Sequence, residues 1–344
     1  MENKSQKIGT INEKTLVVTL DIGKRIHYGY LRAPNGNDIN PFRIENLRKS
    51  FEQLWIKVAD FKKQQGLENV VIGFESTGPY AEPLFHYLKD KPVTLVQVNP
   101  MHTKRVKELT GNSPGKTDKK DPRVIADVIC LGHALTVVIP EGSAAQLRRL
   151  TQARERAMTT RTAMVNQLQH LVFVIFPEFF DVMGSLTKTA MYLVKNYTTP
   201  ETIYAMGVEA LTGILKKVSR GKLGQERAKE LFEAAQDSIG VYEGKESILE
   251  EISHLVCQIE GQSRFIDKLE TQMAEFLGQI PYSGSILSIK GIGITTAAGL
   301  IGEVGDFRKF RTISEVMKLA GLDLTKLAPA GTRVNVISLN EGEP

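Results

Sequence analysis

The sequence predicts an α/β domain followed by long helices and a small helical C-terminal domain. Three observations lead there. Short β-rich runs alternate with helical patterns over residues 14–141. Two long helical patterns follow, at 144–176 and 248–277. A compact apolar helical stretch, 286–321, then precedes a tail rich in Pro, Gly and Asn. The chain has 344 residues, more than one hydrophobic core ordinarily spans, so two or more domains are expected. The composition shifts place them at 14–141, 142–280 and 281–344.

The first domain opens on TLVVTLDI, residues 15–22, a β-rich run ending in an acid and a turn at Gly23 and Lys24. IHYGYLRA, 26–33, alternates and suits the second arm of a hairpin. Residues 44–66 read as a helix, with Leu47, Phe51, Leu54, Val58 and Phe61 at spacings of three and four. NVVIGFE, 69–75, is a continuous apolar run of the kind a buried central strand shows. A helix is expected from about Ala81, a strand at 93–98, a helix reaching Cys130, and a short strand at 136–140. Residues 144–176 then predict one long helix whose first half carries Arg148, Arg149, Arg154, Arg156 and Arg161. Residues 185–240 read as helical and polar, without a decisive motif. In 248–277 the residues Ile248, Ile252, Leu255, Ile259, Ile266, Leu269, Met273 and Phe276 repeat by fours and threes, with Gln262 at the one break. That is a coiled-coil pattern. An ordinary helix packed on the first long one fits as well, and an antiparallel pair used also for self-association satisfies both.

The balance is mildly basic, 44 Lys and Arg against 39 Asp and Glu, so partners must be argued from where charges cluster. Cys130 and Cys257 lie far apart inside apolar helical patterns and are expected as buried thiols in a reducing cytoplasm. The N-terminus has no apolar core of a signal peptide, and LVFVIFPEFF is too short to span a membrane.

The chemistry concentrates in four acids. Asp21 ends the first strand and Glu75 ends the central one. Ligands in open α/β sheets collect at such carboxyl ends. Asp118 and Asp121, in GKTDKKDPRVIAD, stand three apart at a helix start and so share a face. Close carboxylates suit a divalent cation, and oxygen-only ligands select Mg²⁺ or Mn²⁺. Two such ions can hold the attacking and leaving oxygens of a phosphodiester. Taken singly each acid also reads as structural: Asp118 as a cap, Asp121 before Pro122 as a helix start, Asp21 as a turn residue. Their order along the chain matches ribonuclease-H-like nucleases of the RuvC type. Lys116, Lys119 and Lys120 suit phosphate approach or form a solvated face.

TLDIGK, FESTGPY, VNPMHTKRVKE, KTDKKDPRVIADV and SIKGIGITTAAGLIGEVGDFRKF together resemble the IS110-family transposases, the DEDD recombinases that include the IS1111 branch and Piv-type invertases. The resemblance covers nearly the whole length. It implies a RuvC-like catalytic domain, a coiled-coil region and a C-terminal transposase domain. It implies Mg²⁺-dependent cleavage and rejoining of donor and target double-stranded DNA, guided by a bridge RNA that the element encodes. It also implies a tetramer with active sites shared between subunits, in the cytoplasm of a prokaryote, at the nucleoid.

Within that frame SIKGIGITTAAGL reads as a helix-hairpin-helix-like turn, where Lys290 and the backbone at Gly291 and Gly293 would hold a DNA phosphate; a plain glycine-rich link is the alternative. The arginines of 148–161 suit a nucleic-acid backbone or merely solvate a helix face, and Arg308, Lys309, Arg311 and Arg333 add basic candidates. The family pairs the acids with a C-terminal serine nucleophile. Ala330 stands at that position in LAPAGTRVNVISLNEGEP, and alanine cannot form the DNA ester. A deliberate replacement and a decayed or frameshifted copy are the favoured explanations, and the chain ends earlier than the family pattern. Use of Thr332 or Ser338 is the third. A junction-resolving nuclease that uses only the acids, and a non-catalytic nucleic-acid-binding remnant, are the rival functions.

Overall fold

The computed structural model describes residues 11–75, 78–109, 121–137, 139–310, 312–313 and 316–317. The chain divides into two compact units, one formed by the residues before Ile139 together with Met317 and one spanning Ile139–Val316.

The first unit is built on a six-stranded mixed sheet in the order β3-β2-β1-β4-β5-β6. Its strands are β1 Thr15–Asp21, β2 Ile26–Arg32, β3 Asp38–Glu45, β4 Asn69–Glu75, β5 Thr94–Val98 and β6 Ala134–Thr136. β1 and β4 pair in parallel at the centre, and β5 runs parallel to β4. β1 and β2 form the expected antiparallel hairpin. Leu16, Val18, Leu20, Val71 and Ile72 are almost completely buried. Each such side chain contributes about 1.5–3 kcal/mol.

Helices α1 Arg48–Gln64 and α2 Glu82–Leu88 cover the sheet with Phe51, Leu54, Val58, Phe61, Leu84 and Leu88. α3 Pro100–Leu109 and α4 Asp121–Cys130 follow β5. The strand β3 takes Ile44 and Glu45, which the expected helix over 44–66 included. It carries Pro41 and polar residues, which only an edge strand tolerates, and it is the edge of the sheet. α3 opens on Pro100, whose fixed φ suits a first helical turn. β6 lies two residues earlier than the apolar run 136–140, where Val96 and Val98 offer it a partner.

The second unit is helical. α5 Gly142–Ile175 is followed by α6 Phe179–Met183, α7 Lys188–Asn196, α8 Pro200–Val218, α9 Gln225–Gln236, α10 Lys245–Gly278, α11 Ser283–Leu287 and α12 Ile294–Val304. α5 and α10 run antiparallel. Ser143 bonds Gln279, Arg154 pairs with Glu270, Arg161 bonds Ser263 and Gln167 bonds Glu251, so one number rises as the other falls. Two apolar cores flank this pair. Leu168, Val172 and Ile175 pack with Ile252, Leu255 and Ile259 and with α6–α9. Leu147 packs with Met273, Leu277 and the α12 residues Ala297, Ala298 and Ile301.

The cysteines correct one expectation. Cys130 and Cys257 are free thiols, but both are exposed rather than buried. Each sits among buried neighbours at a helical phase that faces outward. Among the described residues no helix is long and apolar enough to cross a membrane.

Gly302 marks the closest approach of α12 to α5. A Cβ there would lie 2.7 Å from the Arg148 backbone nitrogen and 2.8 Å from its Cα. Backbone cannot yield as a side-chain tip can. Gly302→Ala is therefore expected to cost about 1–3 kcal/mol. Gly213→Ala, in α8 with nothing within 4 Å of the added methyl, is expected to stabilise by about 0.5–1 kcal/mol. Urea unfolding of the two variants checks both signs.

Candidate functional site

The parallel pairing of β1 with β4 brings the first two acids together. Leu20 is the register partner of Phe74, so the next residues, Asp21 and Glu75, stand side by side at the carboxyl ends of neighbouring strands. Strands lie about 4.8 Å apart, and residues opposite one another point to the same face. The row continues across the sheet: Asp21 faces Tyr28, Tyr28 faces Arg43, Glu75 faces Val98 and Val98 faces Ala134. Val98 and Ala134 are buried and form an apolar wall beside Glu75. Tyr28 is half-buried and Arg43 is exposed, so the row becomes polar and open toward β3.

α4 packs on this same face. Two residues before Asp21, the buried Thr19 hydroxyl donates to the Pro122 carbonyl at 2.5 Å. Pro122 directly follows Asp121, the residue that opens α4. Further along, Ile125, Ala126, Val128 and Ile129 join Val17, Val71 and Val96 in one core. Gly73 leaves the space for Ile129, since a Cβ there would lie 2.1 Å from the Ile129 Cδ1. Arg32 on β2 reaches Asp127 at 2.6 Å. Burial works to lower the Arg32 pKa, and its bonds to Asp127 and Tyr30 outweigh that and raise it. A ten-residue helix does not hold itself in water, so these contacts fix where its first turn lies.

The β1–β2 turn after Asp21 is held from beneath. The Gly23 N–H donates to the Nδ1 of buried His27 at 3.3 Å, which leaves the ring proton on Nε2. The His27 ring stacks on Phe51 with centroids 6.2 Å apart. Gly23 is required by the turn, for a Cβ there would lie 2.3 Å from the Ile26 carbonyl oxygen. Burial pushes the His27 pKa below 6.5, and Asn46 and Gly23 offset this only in part.

The acids Asp21 and Glu75 are thus adjacent. Asp118 lies outside the described residues, as do Lys116, Lys119 and Lys120, and of Asp121 the backbone alone is described. Among the described residues no group of three or more His, Cys, Asp or Glu side chains gathers as a metal cage. Two carboxylates from two strand ends are the hard oxygen donors that Mg²⁺ or Mn²⁺ takes, and they fit such an ion. Ala330, Arg311 and Arg333 also lie outside the described residues, as does the Lys309 side chain.

In the second unit, Arg154 pairs with Glu270 at 2.7 Å and Arg161 bonds Ser263 at 2.9 Å. Arg148 reaches Glu303 at 3.4 Å. Arg149 and Arg156 are on the exposed side of α5. Lys290 is exposed, Gly291 takes a φ of 94° and Gly293 caps α12 in an extended conformation. Arg308 is exposed and engages both oxygens of Asp306, which raises its pKa. Tyr28, His27 and Thr19 escaped the reading of the sequence. The hairpin register alone would have placed Tyr28 beside Asp21. Nothing in the sequence marks Thr19 as the anchor of a helix 103 residues away.

The chain is similar to known proteins over most of its length. A family model of transposases of the IS110 DEDD type matches residues 18–177. A second, described as the transposase IS116/IS110/IS902 family, matches residues 283–334. The chain is 24% identical over 326 residues to an uncharacterized 43.6 kDa protein of insertion element IS110 from Streptomyces coelicolor, a match covering 92% of this chain and 77% of that one. It is 27% identical over 212 residues to an IS116 protein of Streptomyces clavuligerus and 24% identical over 213 residues to an IS900 protein of Mycobacterium paratuberculosis. Those two matches cover 60% of this chain and about half of each relative, 52% and 53%.

The His27 geometry carries a pH dependence with a definite sign. Its native pKa is lowered, so the stability it contributes is complete above the unfolded value of about 6.5 and is lost as pH falls through the native value. His27→Asn keeps an acceptor for the Gly23 N–H but does not titrate. Unfolding free energies measured between pH 7.5 and 5 should fall less steeply in the variant, by about 1.4 kcal/mol for each unit of native shift. Equal slopes would remove His27 from the account.

Proposed function

Since this chain belongs to the IS110 family of transposases, we propose that it cleaves and rejoins DNA at the end of its central parallel strand pair. The adjacency of Asp21 and Glu75 on one face, with the start of α4 pinned beside them, carries the reading. Asp21, Glu75, Asp118 and Asp121 would hold Mg²⁺ or Mn²⁺. When bound, the ion stabilises charge on the attacking and leaving oxygens of a phosphodiester. The residues themselves set the geometry. β1 and β4 fix two carboxylates in register, the Thr19 bond sets the start of α4, and the Val98 wall limits water beside Glu75. The open side toward Tyr28 and Arg43 is where the phosphate backbone enters.

The fold is read as RuvC-like, α5 and α10 as a coiled coil that also joins subunits into dimers and a tetramer, and the partners as an element-encoded bridge RNA with donor and target DNA. The antiparallel α5–α10 pair and the exposed turn at Lys290 support these roles. Base pairing with a guide would relieve protein side chains of reading sequence. Arg156 lies on the outer face of α5, open to a nucleic-acid backbone, whereas Arg154 and Arg161 tie α5 to α10.

Ala330 decides how far the reaction runs. Without a hydroxyl there, strand exchange through a protein–DNA ester has no nucleophile at the family's position. Cutting by water at the acids alone then remains open, as in a structure-specific endonuclease.

Two measurements test this. Asp21→Asn and Glu75→Gln should each lower Mg²⁺-dependent DNA cleavage at least about 100-fold, because even outer-shell partners of a metal cost 10–100-fold, while unfolding midpoints stay near wild type. Cleavage retained in both variants would dismiss the acidic site. Denaturing gels of chain and DNA should show no covalent adduct for wild type and an adduct for Ala330→Ser. An adduct in the wild-type chain would assign the nucleophile elsewhere.

A further inference from the structure

The α8–α9 turn carries Lys216, Lys217, Arg220 and Lys222, all exposed. No Asp or Glu occurs from residue 210 to residue 225. None of the four cations makes an ion pair among the described residues. Elsewhere in this unit some surface cations are matched, Lys195 with Glu260, Arg227 with Glu230 and Lys245 with Glu201, while those unmatched among the described residues, such as Lys188 and Lys290, stand singly rather than four within seven residues. Lys216 and Lys217 complement the carboxyl end of α8, which accounts for a helix-stabilising role. Arg220 and Lys222 lie beyond the helix, where that role is spent.

The turn is also rigid. Gly221 N–H donates to the Lys216 carbonyl at 2.8 Å and Leu223 N–H to the Ser219 hydroxyl at 2.8 Å. Gly221 has a φ of 82°, and Arg220 takes a left-handed φ of 55°, a conformation uncommon for a long side chain. Behind it, the part of α8 that follows the kink at Gly207 packs on α9 through buried Leu211, Leu215, Ala228 and Leu231. Four cations are thus presented on a fixed tip, with little backbone entropy left to lose on binding.

We infer that the α8–α9 turn is a sequence-independent contact for the phosphate backbone of duplex DNA, set apart from the acidic site in sequence and in structural unit. The inference rests on the DNA-processing reading above. Four cations in a stretch of the chain that holds no acid until Glu226 suit a polyanion, and the transposase family makes DNA the polyanion at hand.

The test is the salt dependence of binding by the full chain as it purifies. Duplex DNA and duplex RNA of equal length are titrated across a salt series, with wild type and the variant K216Q/K217Q/R220N/K222Q. Each lost phosphate contact lowers the slope of log K against log salt by about 0.9, so the DNA slope should fall by between about 2 and 4. The charge-preserving variant K216R/K217R/R220K/K222R should keep the wild-type slope, and matched unfolding midpoints exclude misfolding. An unchanged DNA slope in the neutral variant overturns the inference while leaving the acidic site untouched. A fall confined to RNA overturns the assignment to DNA. Wild-type chain whose DNA binding ignores salt would overturn the inference and count against the DNA-processing reading together.

Discussion

Everything proposed for the first unit depends on one pairing, the in-register parallel alignment of β1 with β4. Six consecutive partners, Thr15 with Asn69 through Leu20 with Phe74, fix it. A shift by one residue would turn Asp21 and Glu75 to opposite faces, because side chains alternate along a strand. Burial on both faces prevents that shift: Leu16, Val18 and Leu20 face one side while Val17 and Thr19 face α4. Two carboxylates held this close repel by about 3 kcal/mol at an effective dielectric of 20, so a site that keeps them together favours whatever cation they share. The hydrophobic core and the candidate chemistry are therefore one construction.

The second unit obeys a different constraint. Its spine is a pair of 34-residue helices, α5 and α10, whose polar contacts repeat one heptad apart at Arg154–Glu270 and Arg161–Ser263. These contacts tie together helices separated by more than 60 residues of intervening helical chain. They also divide α5 arginines by face, Arg154 and Arg161 being committed to α10 and Arg156 turned outward. Charge alone does not make a nucleic-acid surface; charge without a partner within the fold is the sharper criterion. By it the α8–α9 turn stands out more than the arginine-rich helix does.

Much of the fold was legible because local signals were strong. TLVVTLD and NVVIGFE read as buried strands, and the spacing of Phe51, Leu54, Val58 and Phe61 gave α1 its buried face. β3 escaped because Pro41 and its polar neighbours mimic a loop, and an edge strand needs no continuous apolar pattern. Asp21 and Glu75 were legible as strand-end acids, but their adjacency required knowing that β1 pairs with β4 rather than with another strand. The division of the arginines was not legible at all, since Glu270 lies 116 residues from Arg154. The exposed phase of Cys130 and Cys257 was hidden for a simpler reason: apolar neighbours on a helix reveal that a buried face exists, not that a given residue belongs to it.

The proposed site requires that Asp21 and Glu75 share one cation. Hydroxyl radicals generated by Fe²⁺ bound in place of Mg²⁺ cut the polypeptide close to the ion, so mapping the cuts reads the site directly. Two clusters of cleavage are expected, one around Asp21 and one around Glu75, both suppressed by excess Mg²⁺ and both lost together when either acid is replaced. Cuts at only one of the two, or loss of one cluster without the other, would contradict a shared cation.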